Sequence, residues 1–220
     1  MIRAAKDAGA LVLIDAAQAA AHLPIDVRAL GADFLALSGH KLYAPTGIGV
    51  LWGRSELLTE LPPWQGGGEM IKEVTFAHTT YNDPPYKYEA GTPNIEGSIA
   101  LAAALDYVNS IGLEDIHAHE AGLIQSAAEM LEPIAGLRLF GPAGRSGSLS
   151  FAIAGLHHYD IGTLLDQMGV AVRTGHHCCQ PLMARFGITG TVRASFALYN
   201  TMQDVEALAV AVGKAVAMLR

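Results

Sequence analysis

The chain has 220 residues, of which 51% are hydrophobic and 16% charged, and its formal net charge is −7. This composition is typical of a folded globular protein, and the acidic balance without a basic run argues against nucleic acid as a partner. No window holds 18 uninterrupted apolar residues, so neither a membrane-spanning helix nor a membrane partner is predicted. The two cysteines, Cys178 and Cys179, are adjacent. Neighbouring cysteines rarely form a disulfide, which indicates free thiols in a reducing compartment, and a cytoplasmic protein is expected.

The first part of the chain has the pattern of an α/β sheet. A helix is predicted to end at Gly9, and a second, short helix covers 24–30. Apolar runs without polar alternation are typical of parallel strands buried on both faces, and they occur at 11–14, 33–37 and 47–52. Three such strands are few for a doubly wound sheet, so further strands are expected outside this chain. The stretch 61–93 is rich in Gly, Pro, Tyr and Thr and is predicted to be a long functional loop.

The second part of the chain is predicted to form a smaller α/β unit. Two helices rich in Ala and Leu cover 95–111 and 113–131. After Pro133, short strands alternate with helices. The predicted strands are 137–140, 148–153, 170–173 and 191–197. The predicted helices lie near 161–168 and 204–219.

Polar residues follow the first two predicted strands. Ser38, His40 and Lys41 come directly after the second strand, and Asp15 ends the first, 26 residues before Lys41. Ligands of open α/β sheets bind at this edge. A lysine here can form an imine with an aldehyde, and pyridoxal phosphate also needs phosphate partners and a carboxylate against its pyridine nitrogen. A surface lysine and a turn-forming aspartate are the alternative, but the combination, with Gln18 three residues after Asp15, favours the cofactor site.

Six segments, taken in order, resemble one family. They are LIDAAQAAAH, ALSGHKLYAPTGIGVL, PPWQGGGEMI, YEAGTPN, RTGHHCCQPLM and VRASFALYNT. Together they resemble the C-terminal part of the cysteine desulfurase and selenocysteine lyase group of class V aminotransferase-fold enzymes. The resemblance implies the aspartate aminotransferase-like fold of pyridoxal-phosphate-dependent transferases. It also implies that residues 1–106 are the C-terminal part of the cofactor-binding large domain and residues 107–220 the small C-terminal domain.

The resemblance implies a role for each residue of the cofactor motif. Lys41 is the lysine that forms the Schiff base with pyridoxal 5'-phosphate. Asp15 faces the pyridinium nitrogen and Gln18 the phenolic oxygen. Ser38 and His40 bind the phosphate.

Four further residues take roles from the same resemblance. Thr92 is presented to the phosphate of the neighbouring subunit, which implies a homodimer with a shared site. Arg193 grips the substrate carboxylate with the assistance of Arg173, a task that suits a planar guanidinium. Cys178 is the nucleophile of the RTGxHC pattern. Cys179 stands where the pattern has a small residue and is predicted to be a packing residue, although it remains a competing thiol.

Two other patterns are not predicted to form sites. His176, His177, Cys178 and Cys179 are consecutive, and four consecutive residues do not converge easily on one tetrahedral metal ion. The glycines at 66–68 lack the lysine and the strand-to-helix context of a phosphate-binding loop. No metal is therefore expected.

The resemblance implies conversion of L-cysteine to L-alanine, with a persulfide on Cys178 that passes to a sulfur-acceptor protein for iron–sulfur cluster assembly. Family members are roughly twice this length, so the remainder of the site is expected to come from outside the chain, either because the chain is a fragment or because another chain supplies it. Three alternatives stay open. They are a lyase acting on L-selenocysteine, another class V enzyme such as an aminotransferase or kynureninase-like hydrolase, and a truncated, non-catalytic chain that only binds a partner or dimerises.

Overall fold

A computed structural model describes residues 1–142, 144–145 and 147–220 of the chain. The chain forms two compact units, Met1–Leu113 and Glu114–Arg220. The boundary predicted after residue 106 lies inside helix α4 (Ile95–Ile111), whose unbroken hydrogen-bond ladder ends only at Gly112. Among the helices of the described residues, none combines the length and apolarity needed to cross a bilayer.

The first unit contains a three-stranded sheet in the order β1 (Leu13–Asp15), β2 (Phe34–Ser38), β3 (Gly49–Gly53). Strands β1 and β2 are parallel, as predicted, and Asp15 pairs in register with Ala36. Strand β3 is antiparallel to β2, so the prediction of three parallel strands is wrong there. The short segment 39–48 cannot provide the crossover of about a dozen residues or more that a parallel return requires.

The sheet of the first unit is less buried than its apolar runs predict. Leu35 on the central strand is 4% exposed, whereas Leu13 on β1 is 58% and Leu51 on β3 is 55% exposed. The prediction of strands buried on both faces is therefore wrong for β1 and β3 within this chain. The helices α1 (Ile2–Asp7) and α3 (Ser55–Glu60) contain no buried residue, so they cover little of the sheet.

A buried carboxylate holds the elements around β2 together. Asp33 is fully buried, and its side chain is paired with Lys6 of α1 and lies 3.5 Å from the guanidinium of Arg54 after β3. Its Oδ2 accepts the backbone N–H of Val12 at 2.7 Å. These contacts lower the pKa of Asp33, chiefly through the hydrogen bond from Lys6, and so keep the carboxylate charged. The short helix α2 (Val27–Leu30) precedes it, capped by Asp26.

The segment 61–93, predicted to be a loop, contains an antiparallel hairpin. Strands β4 (Ile71–Val74) and β5 (Thr79–Tyr81) pair with each other. Thr75 closes the turn, because its hydroxyl accepts the N–H of His78 at 3.0 Å and donates to the His78 carbonyl at 2.9 Å. The turn uses neither Asn-Gly nor Asp-Gly, so the usual hairpin signature is absent from the sequence.

The second unit is an antiparallel four-stranded sheet covered by helices. Its order is β6 (Leu137–Phe140), β7 (Ser148–Ile153), β9 (Thr191–Ser195), β8 (Arg173–Gly175). The inward face of β7 carries Leu149, Phe151 and Ile153, which belong to the main hydrophobic core. The helices that contribute to this core are α5 (Leu113–Leu131), α6 (His158–Gln167) and α8 (Met202–Leu219).

Strand β9 ends at Ser195 and not at residue 197, and α6 begins at His158 and not near residue 161. Two other elements of the second unit also differ from prediction. Strand β8 begins at Arg173 and not at residue 170, because the N–H of Val170 still bonds the Leu165 carbonyl at the end of α6. Pairing with β9 begins only at Arg173. The short helix α7 (Gln180–Phe186), with Pro181 in its first turn, was not predicted.

Candidate active site

The predicted site residues fall into two sets, one in each unit. In the first unit, Lys41 lies in a single helical turn, Gly39–Leu42, directly after β2. Its side chain is exposed, and among the described residues none bonds or pairs with its amine. A Cβ on Gly39 would lie 2.7 Å from the Ile48 Cγ2, so this tight turn requires glycine. The lysine is thus presented at the sheet edge with its amine available for reaction.

Three other predicted residues share this edge of the sheet. The hydroxyl of Ser38 lies 2.9 Å from the His40 Nδ1. Asp15 is level with Ala36, two residues before Ser38, because β1 and β2 are parallel and in register. The exposed Asp15 accepts the N–H of Ala17 through Oδ1 at 2.9 Å. A carboxylate, a hydroxyl, an imidazole and an amine therefore lie around the ends of two neighbouring strands.

Gln18 and Thr92 lie in segments next to this edge. The Gln18 amide nitrogen is 3.2 Å from the His22 Nε2. Thr92 is exposed and stands two residues before Asn94, the cap of α4, whose Oδ1 accepts the N–H of Gly97 at 2.9 Å. The Asn94 amide also donates to the Gly47 carbonyl at 3.1 Å, which fastens the segment that carries Thr92 to the loop before β3.

In the second unit, residues 176–179 form a tight connection between β8 and α7, called here the cysteine loop. His177 and Cys178 adopt left-handed backbone conformations, with φ of 52° and 62°. Such conformations cost roughly 1–2 kcal/mol per non-glycine residue, so other contacts must hold the loop. The N–H of Cys178 donates to the His176 Nδ1 at 3.1 Å, and that of Cys179 donates to the His176 carbonyl at 2.9 Å.

The two thiols of the cysteine loop have different surroundings. Cys178 is exposed, and its Sγ lies 3.9 Å from the Arg173 Nη2. Cys179 is half-buried, and its Sγ donates to the carbonyls of His176 at 3.3 Å and His177 at 3.4 Å. Attack on an outside group is therefore open to Cys178, whereas Cys179 is bonded to its own loop.

The two predicted substrate-binding arginines are cross-strand neighbours. Arg173 on β8 pairs in register with Arg193 on β9. The Arg193 Nε is buried and has no hydrogen-bond partner among the described residues. Like charges directly across a strand pair repel, and an unpaired buried donor is costly, so the pair is suited to an anionic ligand such as a carboxylate.

His177 and Thr191 are features of this site that the sequence did not reveal. The His177 Nε2 lies 2.9 Å from the Thr191 Oγ1 on β9. Burial lowers the pKa of His177, and the positive charge of Arg193 lowers it further, although a hydrogen bond with the backbone of Thr191 acts in the opposite direction. Both residues line a cavity of about 350 Å³ behind the cysteine loop, together with Cys179, Arg193 and apolar side chains. No local pattern predicts this contact, because it depends on the pairing of β8 with β9.

Comparison with known proteins decides the family. The model for class-V aminotransferases matches residues 1–208. The chain belongs to the class-V aminotransferase family. The resemblance read from the six segments and the predicted fold class are thereby confirmed.

Curated relatives of this class-V chain are named cysteine desulfurases. One from Dickeya dadantii is 51% identical over 209 residues, which are 94% of this chain and 51% of that protein. A probable cysteine desulfurase of Vibrio cholerae is 50% identical over 219 residues, which are 100% of this chain and 54% of that protein. The chain thus spans about half the length of the curated relatives it matches.

Solved structures give the same result for the fold. The cysteine desulfurase CsdA of Escherichia coli matches with a TM-score of 0.94 and 48% identity, over 99% of this chain and 54% of that one. The apo cysteine desulfurase of Thermococcus onnurineus matches with a TM-score of 0.94 and 41% identity, over 99% of this chain and 55% of that one.

The residues around Lys41 fit pyridoxal phosphate as a ligand. The amine of Lys41 is exposed and unpaired among the described residues, as imine formation requires. The Ser38 hydroxyl and the His40 ring form a polar pair suited to a phosphate, and Asp15 supplies a carboxylate at the neighbouring strand end. The donor set of the edge therefore matches the aldehyde, the phosphate and the ring nitrogen of this cofactor.

Proposed function

We propose that this chain is part of a pyridoxal-phosphate-dependent cysteine desulfurase, which converts L-cysteine to L-alanine and leaves a persulfide on Cys178. The observation that carries the proposal is the exposed Cys178 thiol, 3.9 Å from the Arg173 guanidinium, in a chain about 50% identical to proteins named cysteine desulfurases. An aminotransferase or a hydrolase of the same family has no need of a thiol at this position.

Each residue of the Lys41 edge has a place in this function. Lys41 holds the cofactor through its amine, and Asp15 balances the charge of the pyridinium nitrogen. Ser38 and His40 bind the phosphate, and Gln18 faces the phenolic oxygen. Pyridoxal phosphate, when bound, supplies an electron sink for negative charge at the substrate Cα.

The residues of this chain then perform the proton and sulfur transfers. Arg193, assisted by Arg173, orients the substrate through its carboxylate. The Lys41 amine would take the proton from the substrate Cα. The Cys178 thiolate would attack the substrate sulfur, so that an S–S bond forms while the Cβ–S bond breaks. Protonation of the Cβ, and return of a proton to the Cα from the Lys41 ammonium group, would then give alanine.

The later fate of the sulfur and the assembly of the enzyme belong to the same proposal. The persulfide on Cys178 passes to a sulfur-acceptor protein that serves iron–sulfur cluster assembly in the cytoplasm. The exposure of Cys178 supports such a transfer, since an acceptor must reach the thiol. The enzyme is a homodimer in which the exposed Thr92 contributes to the phosphate site of the neighbouring subunit.

The test measures cofactor binding and sulfur transfer separately. The chain is titrated with pyridoxal phosphate, alone and with the part of the Dickeya dadantii relative that this chain does not match, supplied as a second polypeptide. We expect the native chain to show the visible absorbance of a lysine-bound cofactor and Lys41→Ala to lose it. We also expect L-cysteine to be converted to alanine, with formation of a persulfide that is absent from Cys178→Ala.

Three results would contradict the proposal in different ways. If Lys41→Ala keeps the visible absorbance of the lysine-bound cofactor, Lys41 is not the lysine that binds the cofactor. Faster turnover of L-selenocysteine than of L-cysteine indicates the lyase. Absence of cofactor binding in both preparations favours a non-catalytic chain that only binds a partner.

A further inference from the structure

The cysteine loop presents two adjacent thiols, and the proposed chemistry uses only one of them. Cys178 is exposed, and Cys179 bonds the carbonyls of His176 and His177. His177 and Cys178, whose backbones lie in the left-handed region, could relax to ordinary conformations, and such a change would redirect both thiols. Something outside the loop must therefore fix which thiol is presented.

The ring of His177 ties the strained pair to a buried position of the sheet. Its Nε2 lies 2.9 Å from the Thr191 Oγ1. Thr191 is 2% exposed and is the first residue of β9, so it is a fixed point. The backbone N–H groups of Cys178 and Cys179 both bond to His176 and do not tie the loop to the sheet.

We propose that His177 is a positioning residue that selects Cys178 over Cys179 as the reactive thiol, through its hydrogen bond to Thr191. This inference rests on the proposed function, because the selection of Cys178 matters for catalysis only if Cys178 is the nucleophile. The bond holds residue 177 in its left-handed conformation. Cys178 is then directed outward beside Arg173, and the Cys179 thiol is kept on the loop carbonyls.

The charges around the ring are consistent with this role. Arg193 on β9, Arg173 on β8 and His158 on α6 all face His177, and each disfavours a positive charge on it. Together with burial they lower the pKa of His177, so the ring is neutral at neutral pH. A neutral ring is not repelled by the two arginines and can remain packed in the cavity beside Thr191.

The test measures the ratio of alkylation rates at Cys178 and Cys179 with iodoacetamide, by mass spectrometry of the purified chain without cofactor or substrate. His177→Asn is the informative variant, because asparagine tolerates the left-handed conformation but is too short to reach Thr191. His177→Gln can place its amide where the ring Nε2 lies and should rescue the ratio. Thr191→Val removes the hydroxyl and keeps the shape, whereas Thr191→Ser keeps the hydroxyl.

We expect Cys178 to react faster in the native chain, and the Cys178:Cys179 ratio to fall about fivefold in His177→Asn and Thr191→Val, as for the loss of one hydrogen bond. His177→Gln and Thr191→Ser should stay near the native ratio, and the double variant that combines His177→Asn with Thr191→Val should fall no further than either single variant. An unchanged ratio in His177→Asn, or equal ratios in Thr191→Val and Thr191→Ser, would overturn the inference. The alkylation experiment measures no turnover, so the Cys178:Cys179 ratio tests the role of His177 even if the proposed function is wrong.

Discussion

Arg173 and Arg193 stand directly opposite each other on β8 and β9, with no carboxylate between them among the described residues. Two guanidinium groups on paired residues repel each other, and the Nε of Arg193 is buried with no hydrogen-bond partner in the part of the chain that the structure describes. The sheet of the second unit thus carries a local electrostatic cost that an anionic ligand would relieve. Such a cost is common where a site binds charge, because the residues are placed for the ligand and not for stability.

The first prediction concerns this pair of arginines. Arg173→Gln should increase the free energy of unfolding of the second unit by about 0.2–1 kcal/mol at low salt, because it removes a like-charge cross-strand pair. The gain should shrink at high salt, which screens the repulsion. Urea unfolding of the variant and the native chain at two salt concentrations measures this difference in the free energy of unfolding. Arg185→Gln, on the exposed end of α7, is the control and should give no gain.

The second prediction concerns the packing behind the cysteine loop. A Cβ on Gly190 would lie 2.6 Å from the His158 Nε2 and 2.7 Å from the Gly175 carbonyl carbon. Gly190→Ala should therefore destabilise the second unit by about 1–3 kcal/mol, the usual cost of overpacking. Gly122→Ala is the matched control, since no atom of the described residues lies within 4 Å of a Cβ at this position and the site is helical. That control should be neutral or stabilising in urea unfolding.

The third prediction concerns pH. Burial is the main cause that lowers the pKa of both His158 and His177, followed by the charge of His157 for the former and of Arg193 for the latter. Below the ordinary value of 6.5 the unfolded chain binds protons that the folded chain does not. The free energy of unfolding should thus fall as pH falls from 6.5 towards the lowered pKa values, and level off below them.

This pH dependence is measured by urea unfolding at a series of pH values. His158→Gln and His177→Gln should each reduce the slope below pH 6.5, and the double variant should reduce it most. His119→Gln is the control, because His119 lies on the exposed part of α5 and its one hydrogen bond among the described residues is to the Asn200 carbonyl. A slope that is the same in the double variant and in the native chain would contradict the prediction.

The fourth prediction concerns the phosphate partners of the proposed cofactor. Ser38→Ala removes the hydroxyl that lies 2.9 Å from the His40 ring, and it should weaken pyridoxal phosphate binding about fivefold, as expected for one hydrogen bond. The change is measured by absorbance titration with pyridoxal phosphate, on whichever of the two preparations (the chain alone or with the second polypeptide) binds the cofactor. Ser98→Ala, whose hydroxyl donates to the Asn94 carbonyl on α4, is the control and should bind as the native chain does.

Local patterns in the sequence predicted a large part of the fold. The helices Ile95–Ile111 and Leu113–Leu131 and the strands Leu137–Phe140 and Ser148–Ile153 have the bounds that periodicity indicated. These elements are determined by side-chain spacing within each segment, together with their caps and turns. The position of Lys41 after a strand, and of Asp15 at the end of its neighbour, was predicted in the same way. The chemical roles of these residues stay predictions.

Only the tertiary structure decided the features that depend on pairing between distant segments. The antiparallel direction of β3 follows from a connection too short for a crossover, and the hairpin β4–β5 depends on a threonine-closed turn. The register of β8 against β9 sets Arg173 opposite Arg193 and leaves His177 within reach of Thr191. The sequence by itself named two adjacent thiols as candidates. The structure separates them, because the loop conformation exposes Cys178 and bonds Cys179 to backbone carbonyls, and a conformation of that kind is fixed by contacts beyond the loop.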